Sequence, residues 1–201
     1  MKALLRLLHG PVYEKRLAVL CELLGPHLER GETLLDVGCG SGELGSRLAE
    51  AHQVTVEGLE VRPREGCLIP VTAYEGAEFP FPDNAFDSVL LADILHHEHD
   101  PAQVLREAGR VAARRVIVKD HKIDGLLAQQ RISFIDWAAN AGYGVPCLYE
   151  YYSGPEWSDL LETCGLAEER VIDSIDLYPA GLNLLFGKRL QYLAVASARS
   201  C

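Results

Sequence analysis

The chain has 201 residues, 48% of them hydrophobic and 24% charged, and a formal net charge of -10. That length suits one domain with a sizeable core, and the negative balance argues against nucleic-acid binding through a broadly basic face. No run of about 18 apolar residues is present to form a membrane span, and the six cysteines include no Cys-x-x-Cys pair, so reduced thiols in a cytoplasmic protein are expected.

The start, "MKALLRLLHGPVYEKRL", has too short an apolar stretch for a signal peptide. Residues 11–29 carry Leu17, Leu20, Leu24 and Leu28 at helical spacing, and Gly31 ends that helix. "TLLDV", 33–37, is a short buried strand that runs into glycines. "GELGSRLAEA" returns to helix. "VTVEGLE", 54–60, is a second strand, and "CLIPVTA", 67–73, a third, weakened by Pro70. "FDSVLLA", 86–92, and "RVIVKD", 115–120, are the fourth and fifth. Between them "DPAQVLREAGRVA" reads as a helix, with Asp100 as its cap and Pro101 at its first position. The basic cluster "RVAARR", 110–115, suits that helix's carboxyl end.

Strands alternating with helices predict a doubly wound α/β fold with a mostly parallel sheet. Residues 121–165 interrupt the alternation with a helical stretch, an aromatic segment and a short helix, "EWSDLLETCG". "AEERVIDSIDLY" and "KRLQYLAVASA" then read as strands joined by a loop, "PAGLNLLFG", which makes them antiparallel. We therefore expect one domain over 1–201, with a helical segment at 1–30 and a substrate cap at 121–165.

"LLDVGCGSGELG", 34–45, fits two cofactor fingerprints. Gly40, Gly42 and Gly45 match the dinucleotide pattern G-x-G-x-x-G. Against it, the strand runs into Asp36-Val37-Gly38, two residues earlier. A carboxylate there would repel a pyrophosphate, as would Glu43 at the helix start. A ligand bearing an ammonium and a sulfonium favours Asp36, and S-adenosylmethionine is such a ligand. Glu60, closing the second strand, stands where a carboxylate accepts from both ribose hydroxyls.

With "LLDVGCGSG", "LE" at 59–60, "YEGAEFPFPDNAFDSVLLADILHHEHDP" and "REAGRVAARRVIVKD" in this order, the chain resembles the class I S-adenosylmethionine-dependent methyltransferases. The nearest branch is the small-molecule one that includes ubiquinone-biosynthesis C-methyltransferases. The resemblance implies a Rossmann-like seven-stranded sheet whose last strand is antiparallel. It implies that Gly38, Gly40 and Gly42 pass under the methionine, that Asp36 orients its ammonium, and that Glu60 holds the ribose. Glu75 would accept from the adenine amino group, where the family usually has aspartate, with Gly76 beside the ring. Ala92, through its backbone, and Asp93 would line the site near the sulfonium.

Candidate bases stand at the carboxyl ends of the fourth and fifth strands, in "DILHHEHD" and "KDHKIDG". Asp120 and His121 follow a buried "VIV" run and emerge where the cofactor lies; His97 is a further candidate, in a pair with His96. No metal is expected, because the three histidines at 96, 97 and 99 are not at i, i+4 on one helix. Ser133, Asp136, Asn140 and Tyr143 share one helical face, and Trp137, Tyr149, Tyr151 and Tyr152 could wall a substrate. The leading reading is methyl transfer to a small-molecule acceptor; these motifs leave open whether the methyl goes to O, N or C, and they leave the oligomeric state of the chain open. The alternatives are an NAD-dependent oxidoreductase and a non-catalytic cofactor-binding protein of the same fold.

Overall fold

Alternate residues on the central strands face opposite layers of helices, and that parity organises the fold. The computed structural model describes residues 2–140 and 148–198, with side chains in 10–138 and 148–197. Seven strands form one sheet: β1 Thr33–Val37, β2 Thr55–Glu60, β3 Val71–Ala73, β4 Phe86–Ala92, β5 Ala112–His121, β6 Leu166–Ile172 and β7 Gln191–Ala198. Their spatial order is β3-β2-β1-β4-β5-β7-β6. β1 to β5 pair in parallel, and β7 runs antiparallel to both β5 and β6. This is the expected Rossmann-like sheet with its antiparallel last strand.

Among the described residues six α-helices accompany it: α1 Lys2–Leu24, α2 Glu43–His52, α3 Pro101–Val111, α4 Ala128–Asn140, α5 Gly154–Thr163 and α6 Ala180–Phe186. Leu35, Val89, Leu91, Val116 and Val118 pack with α3 and α5 in one buried cluster. Leu34, Leu90 and Ile117 pack with α1 and α2 in the other. Two apolar faces explain why these strands read as unbroken hydrophobic runs.

Local signals account for three element starts. Asp100 caps α3 by accepting from the Gln103 N–H at 3.0 Å, with Pro101 following. Ser153 and Glu156 form a capping box at the start of α5. Pro70 confines β3 to three residues.

The structure departs from the sequence reading at three places. The first helix begins at Lys2 and ends at Leu24, before the turn at Gly25–His27, rather than spanning 11–29. "PAGLNLLFG" contains α6 rather than being all loop. The basic cluster closes α3 only through Arg110, in its last turn: Arg114 and Arg115 lie on β5, where Glu29 and Glu32 pair with them. A tertiary partner for those guanidiniums outweighs a helix-end preference worth about 0.3–1 kcal/mol.

Of the segment 121–165, α5 belongs to the main core. Trp157 is fully buried, stacks on Tyr192 at 5.4 Å, and donates its indole N–H to the His121 carbonyl at 3.0 Å. Trp157→Ala is expected to cost about 3–5 kcal/mol of stability through the cavity and the lost transfer energy. Urea denaturation checks this; a loss below about 1 kcal/mol would contradict the core role.

Candidate functional site

In a parallel sheet the carboxyl ends of the strands share one edge, and here that edge gathers the glycine turn after β1, Glu60, Ala92 and His121. Strand order reverses between β1 and β4: β1 connects to β2 on one side, and β4 connects to β5 on the other. A crevice opens at such a point.

Gly38, Gly40 and Gly42 all have left-handed backbones, with φ of 68°, 59° and 74°, which only glycine adopts without strain. A Cβ on Gly42 would stand 2.8 Å from Ile69 and 2.9 Å from Cys67. Gly45 lets α2 settle on the sheet, since a Cβ there would lie 3.2 Å from an Asp36 carboxylate oxygen. Glu60 turns its carboxylate into the loop and accepts from the Gly40 N–H at 3.0 Å. Asp36 is buried, and that burial, with the Glu60 charge nearby, pushes its carboxyl up to about 7. Glu75 is exposed, two residues beyond β3, and Gly76 has a φ of 90° beside Val61.

Parity divides the other end of the edge into two ionic groups. Lys119 points to the α1 and α2 face, where its buried ammonium meets Asp93. Arg16 of α1 reaches the same carboxylate. Burial opposes charge on Asp93, but Lys119 and Arg16 together hold its carboxyl well below the ordinary range. Asp93 is therefore held by two cations, and α1 is tied over the edge. Tyr13, one turn earlier, lies against Glu43 and Ser41 of the glycine turn.

Asp120 points to the α3 and α5 face. Its fully buried carboxylate contacts His96 Nδ1 at 2.5 Å and accepts from the Leu95 and His121 N–H groups at 3.1 and 2.6 Å. Beyond His96, its Nε2 lies 3.6 Å from Asp136 of α4, and His97 Nε2 lies 3.7 Å from the same oxygen. Tyr151 donates to the other Asp136 oxygen at 2.8 Å. Burial disfavours the His96 cation, but the Asp120 and Asp136 carboxylates overcome it and raise the imidazole to about 10. His121 is buried edge-on to His96 at 5.0 Å, and burial lowers its basicity. Its Nδ1 has no hydrogen-bond partner among the described residues, with Asp120 and Asp93 oxygens at 3.6 and 3.8 Å.

Of the residues singled out by sequence, Asp36, the three glycines and Glu60 come together, and Asp120, His121 and His97 form a second group. His96, more buried than His97, is the hub of that group. Asp136 was legible as part of a helical stripe and Tyr151 as one aromatic among several, but not their contact. Arg16 and Tyr13 carried no sequence signal. Trp137 and Tyr149 are exposed, and Tyr152 packs on Trp157. The Asn140 side chain, Tyr143, Cys147 and Cys201 lie outside the described residues. Cys21, Cys39, Cys67 and Cys164 are free thiols.

A family model described as a methyltransferase domain matches residues 12–170. The 27-O-demethylrifamycin SV methyltransferase of Amycolatopsis mediterranei is 35% identical over 97 residues, 42% of this chain and 36% of that relative. The 2-phytyl-1,4-naphtoquinone methyltransferase of Synechococcus elongatus is 30% identical over 157 residues, 68% of this chain and 66% of that one. The chain spans about a third of the length of the first curated relatives it matches. In fold it is similar to the 1,6-didemethyltoxoflavin-N1-methyltransferase of Burkholderia thailandensis, solved with 1,6-didemethyltoxoflavin and S-adenosylhomocysteine. That likeness has a TM-score of 0.69 and covers 92% of this chain and 79% of that one, at 15% identity.

The raised Asp36 carboxyl makes a signed prediction. Between its ordinary 3.8 and about 7, the folded chain keeps a proton that the unfolded chain has released. This group's stabilising contribution is therefore full below about pH 4 and is lost as pH rises through about 7. In Asp36→Asn that decline should vanish, so the variant gains thermal stability over the parent by several degrees, roughly, between pH 5 and 8. Melting curves across that range check it, and parallel pH profiles for the two proteins would refute the assignment.

Proposed function

This chain belongs to the methyltransferase-domain family, within the class I S-adenosylmethionine-dependent methyltransferases, and we propose that it transfers the methyl group of S-adenosylmethionine to a small-molecule acceptor. The observation that carries this reading is the meeting of two acids, Asp36 and Glu60, at a turn of three left-handed glycines. A bound ammonium would let Asp36 ionise, and Glu60 would accept from the ribose hydroxyls. Gly38, Gly40 and Gly42 would pass beneath the methionine, and Ala92 would face the sulfonium through its backbone. Gly76 would stand beside the adenine, with Glu75 accepting from its amino group. Asp93, engaged by Lys119 and Arg16, would serve this site mainly by anchoring α1. An NAD pyrophosphate would face the same two carboxylates and Glu43 without a compensating cation.

Methyl transfer forms a bond from acceptor to carbon while the sulfur keeps the electron pair of the breaking bond, leaving S-adenosylhomocysteine. The protein's task is alignment, with a base where the acceptor is a hydroxyl or acidic carbon. His121, whose buried Nδ1 has no hydrogen-bond partner among the described residues, is the candidate proton acceptor; Asp120 holds its neighbours in place, and His97 is the next candidate. The cap would comprise the part of 121–165 that precedes α5, with Asp136 and Tyr151 on its inner side. The relatives that act on small molecules support this acceptor class, as does the acidic balance. A cytoplasmic setting belongs to the same reading; no helix among the described residues is long and apolar enough to cross a membrane.

Calorimetry should show binding of S-adenosylhomocysteine and none of NAD. Glu60→Ala should weaken that binding by about 10- to 100-fold, since a charged acceptor contributes about 1.5–3 kcal/mol per hydrogen bond. Tight NAD binding with no response to S-adenosylhomocysteine would defeat the reading. On the acceptor side, His121→Ala should reduce turnover by about 10²–10⁴-fold while S-adenosylhomocysteine affinity stays within about twofold. Phenols, carboxylates and amines would be screened for the acceptor. Full activity of both His121→Ala and Asp120→Asn on a true acceptor would remove this strand end from the mechanism.

A further inference from the structure

We propose that His96, His97 and Asp136 form a binding site for a divalent transition-metal ion, held by His96 Nε2, His97 Nε2 and one Asp136 oxygen. The two imidazole nitrogens lie 3.6 and 3.7 Å from that oxygen. Donors sharing an ion at about 2.1 Å are about 3.4 Å apart in tetrahedral geometry, so these two separations need closing by roughly 0.2–0.3 Å. All the donor atoms lie within 4.8 Å of one another.

A second triad, His96 Nδ1 with Asp120 and His121, satisfies the same loose spacing. It is rejected by one distance. His96 Nδ1 and the Asp120 oxygen are 2.5 Å apart, a hydrogen bond and too close for two donors on one ion. That bond instead serves the first triad. Metal-binding histidines donate their other ring N–H to a carboxylate, which fixes the ring and strengthens the donor, and Asp120 holds His96 in this way. The ligating carboxylate is supported too, since Tyr151 donates to the Asp136 oxygen that faces away from the histidines.

Charge favours the same assignment. Asp120 and Asp136 are both buried, on opposite sides of one imidazole. A divalent ion on Nε2 displaces the proton that His96 otherwise carries there, releases it to solvent, and adds one net positive charge between the two carboxylates. Mixed imidazole and carboxylate donors select zinc, iron(II) or cobalt(II) over magnesium or calcium. Three protein donors leave a coordination position open, the mark of an exchangeable rather than a purely structural ion. His97, whose side chain is 16% exposed against 1% for Asp136, lies on the side from which an ion enters. Histidine spacing could not show this, because the third donor arrives from α4, about 40 residues later.

The test titrates the whole purified chain, stripped with a chelator, with Co²⁺ followed by visible absorption and with Zn²⁺ followed by calorimetry. One ion per chain is expected. Asp136→Asn and His97→Gln should each weaken it by at least about 100-fold. Asp120→Asn should weaken it by about 10- to 100-fold through His96. His99→Gln, at an exposed neighbour, should leave it unchanged. Circular dichroism confirms folding, and His97→Gln, at the partly exposed ligand, carries the test if a buried variant fails to fold. The inference is overturned if the folded chain binds neither ion below about 1 mM. It is also overturned if His97→Gln binds as the parent does, or if His99→Gln loses the ion, which would mark an adventitious ion only. S-adenosylhomocysteine is titrated on the same preparation. A chain that binds that ligand but neither metal ion overturns this inference alone, and one that binds metal but not that ligand overturns the methyl-transfer reading alone.

Discussion

The carboxyl end of β1 is the point on which the site depends. The connection leaving β1 runs to β2 on one side and the one leaving its neighbour β4 runs to β5 on the other, so neither loop covers it. Parallel pairing then sets the other strand ends beside it at fixed register, Asp36 against Gly58 on one side and Leu90 on the other. A chain leaving a buried strand must turn sharply to start α2 on the adjacent face. The left-handed glycines make that turn and bring backbone N–H groups to the crevice.

Charge is distributed unevenly along this edge. At β1 and β2, Asp36 and Glu60 reinforce one another, and the folded chain keeps Asp36 protonated near neutrality. At β4 and β5, every buried carboxylate has a cation: Lys119 and Arg16 for Asp93, His96 for Asp120. Removing one member of such a pair would strand a buried charge, at a cost of about 3–5 kcal/mol. One half of the edge is thus rigid and compensated, while the other is left able to accept a cation. That asymmetry matches a ligand with a positive end and a neutral nucleoside.

Elements outside the alternating core complete the site. α1 crosses the edge, packs Leu17, Leu20 and Leu24 against the sheet, and extends Arg16 to Asp93. α4 brings Asp136 to the histidines, and the chain before α5 brings Tyr151 to Asp136. α5 is anchored through Trp157, which also holds the His121 carbonyl. The position of His121 is therefore coupled to the core.

The sequence by itself determined what depends on neighbours in the chain. β1, β4 and the start of α3 follow from short apolar runs, a glycine turn and an Asp-Pro cap, and each forms at the residues expected. The acid before the glycines and the acid closing β2 were legible because a strand end sets their position. Tertiary structure decided whatever depends on partners far along the chain. Arg114 and Arg115 joined β5 because Glu29 and Glu32 lie across from them, 82 to 86 residues away in sequence. His96, not His97, became the hub because the short turn at Leu95–His97 aims it at Asp120, 24 residues on. Arg16 met Asp93 across 77 residues. Periodicity reports which face a residue takes, but a buried charge is placed by its counter-charge, and the fold alone brings that partner within reach.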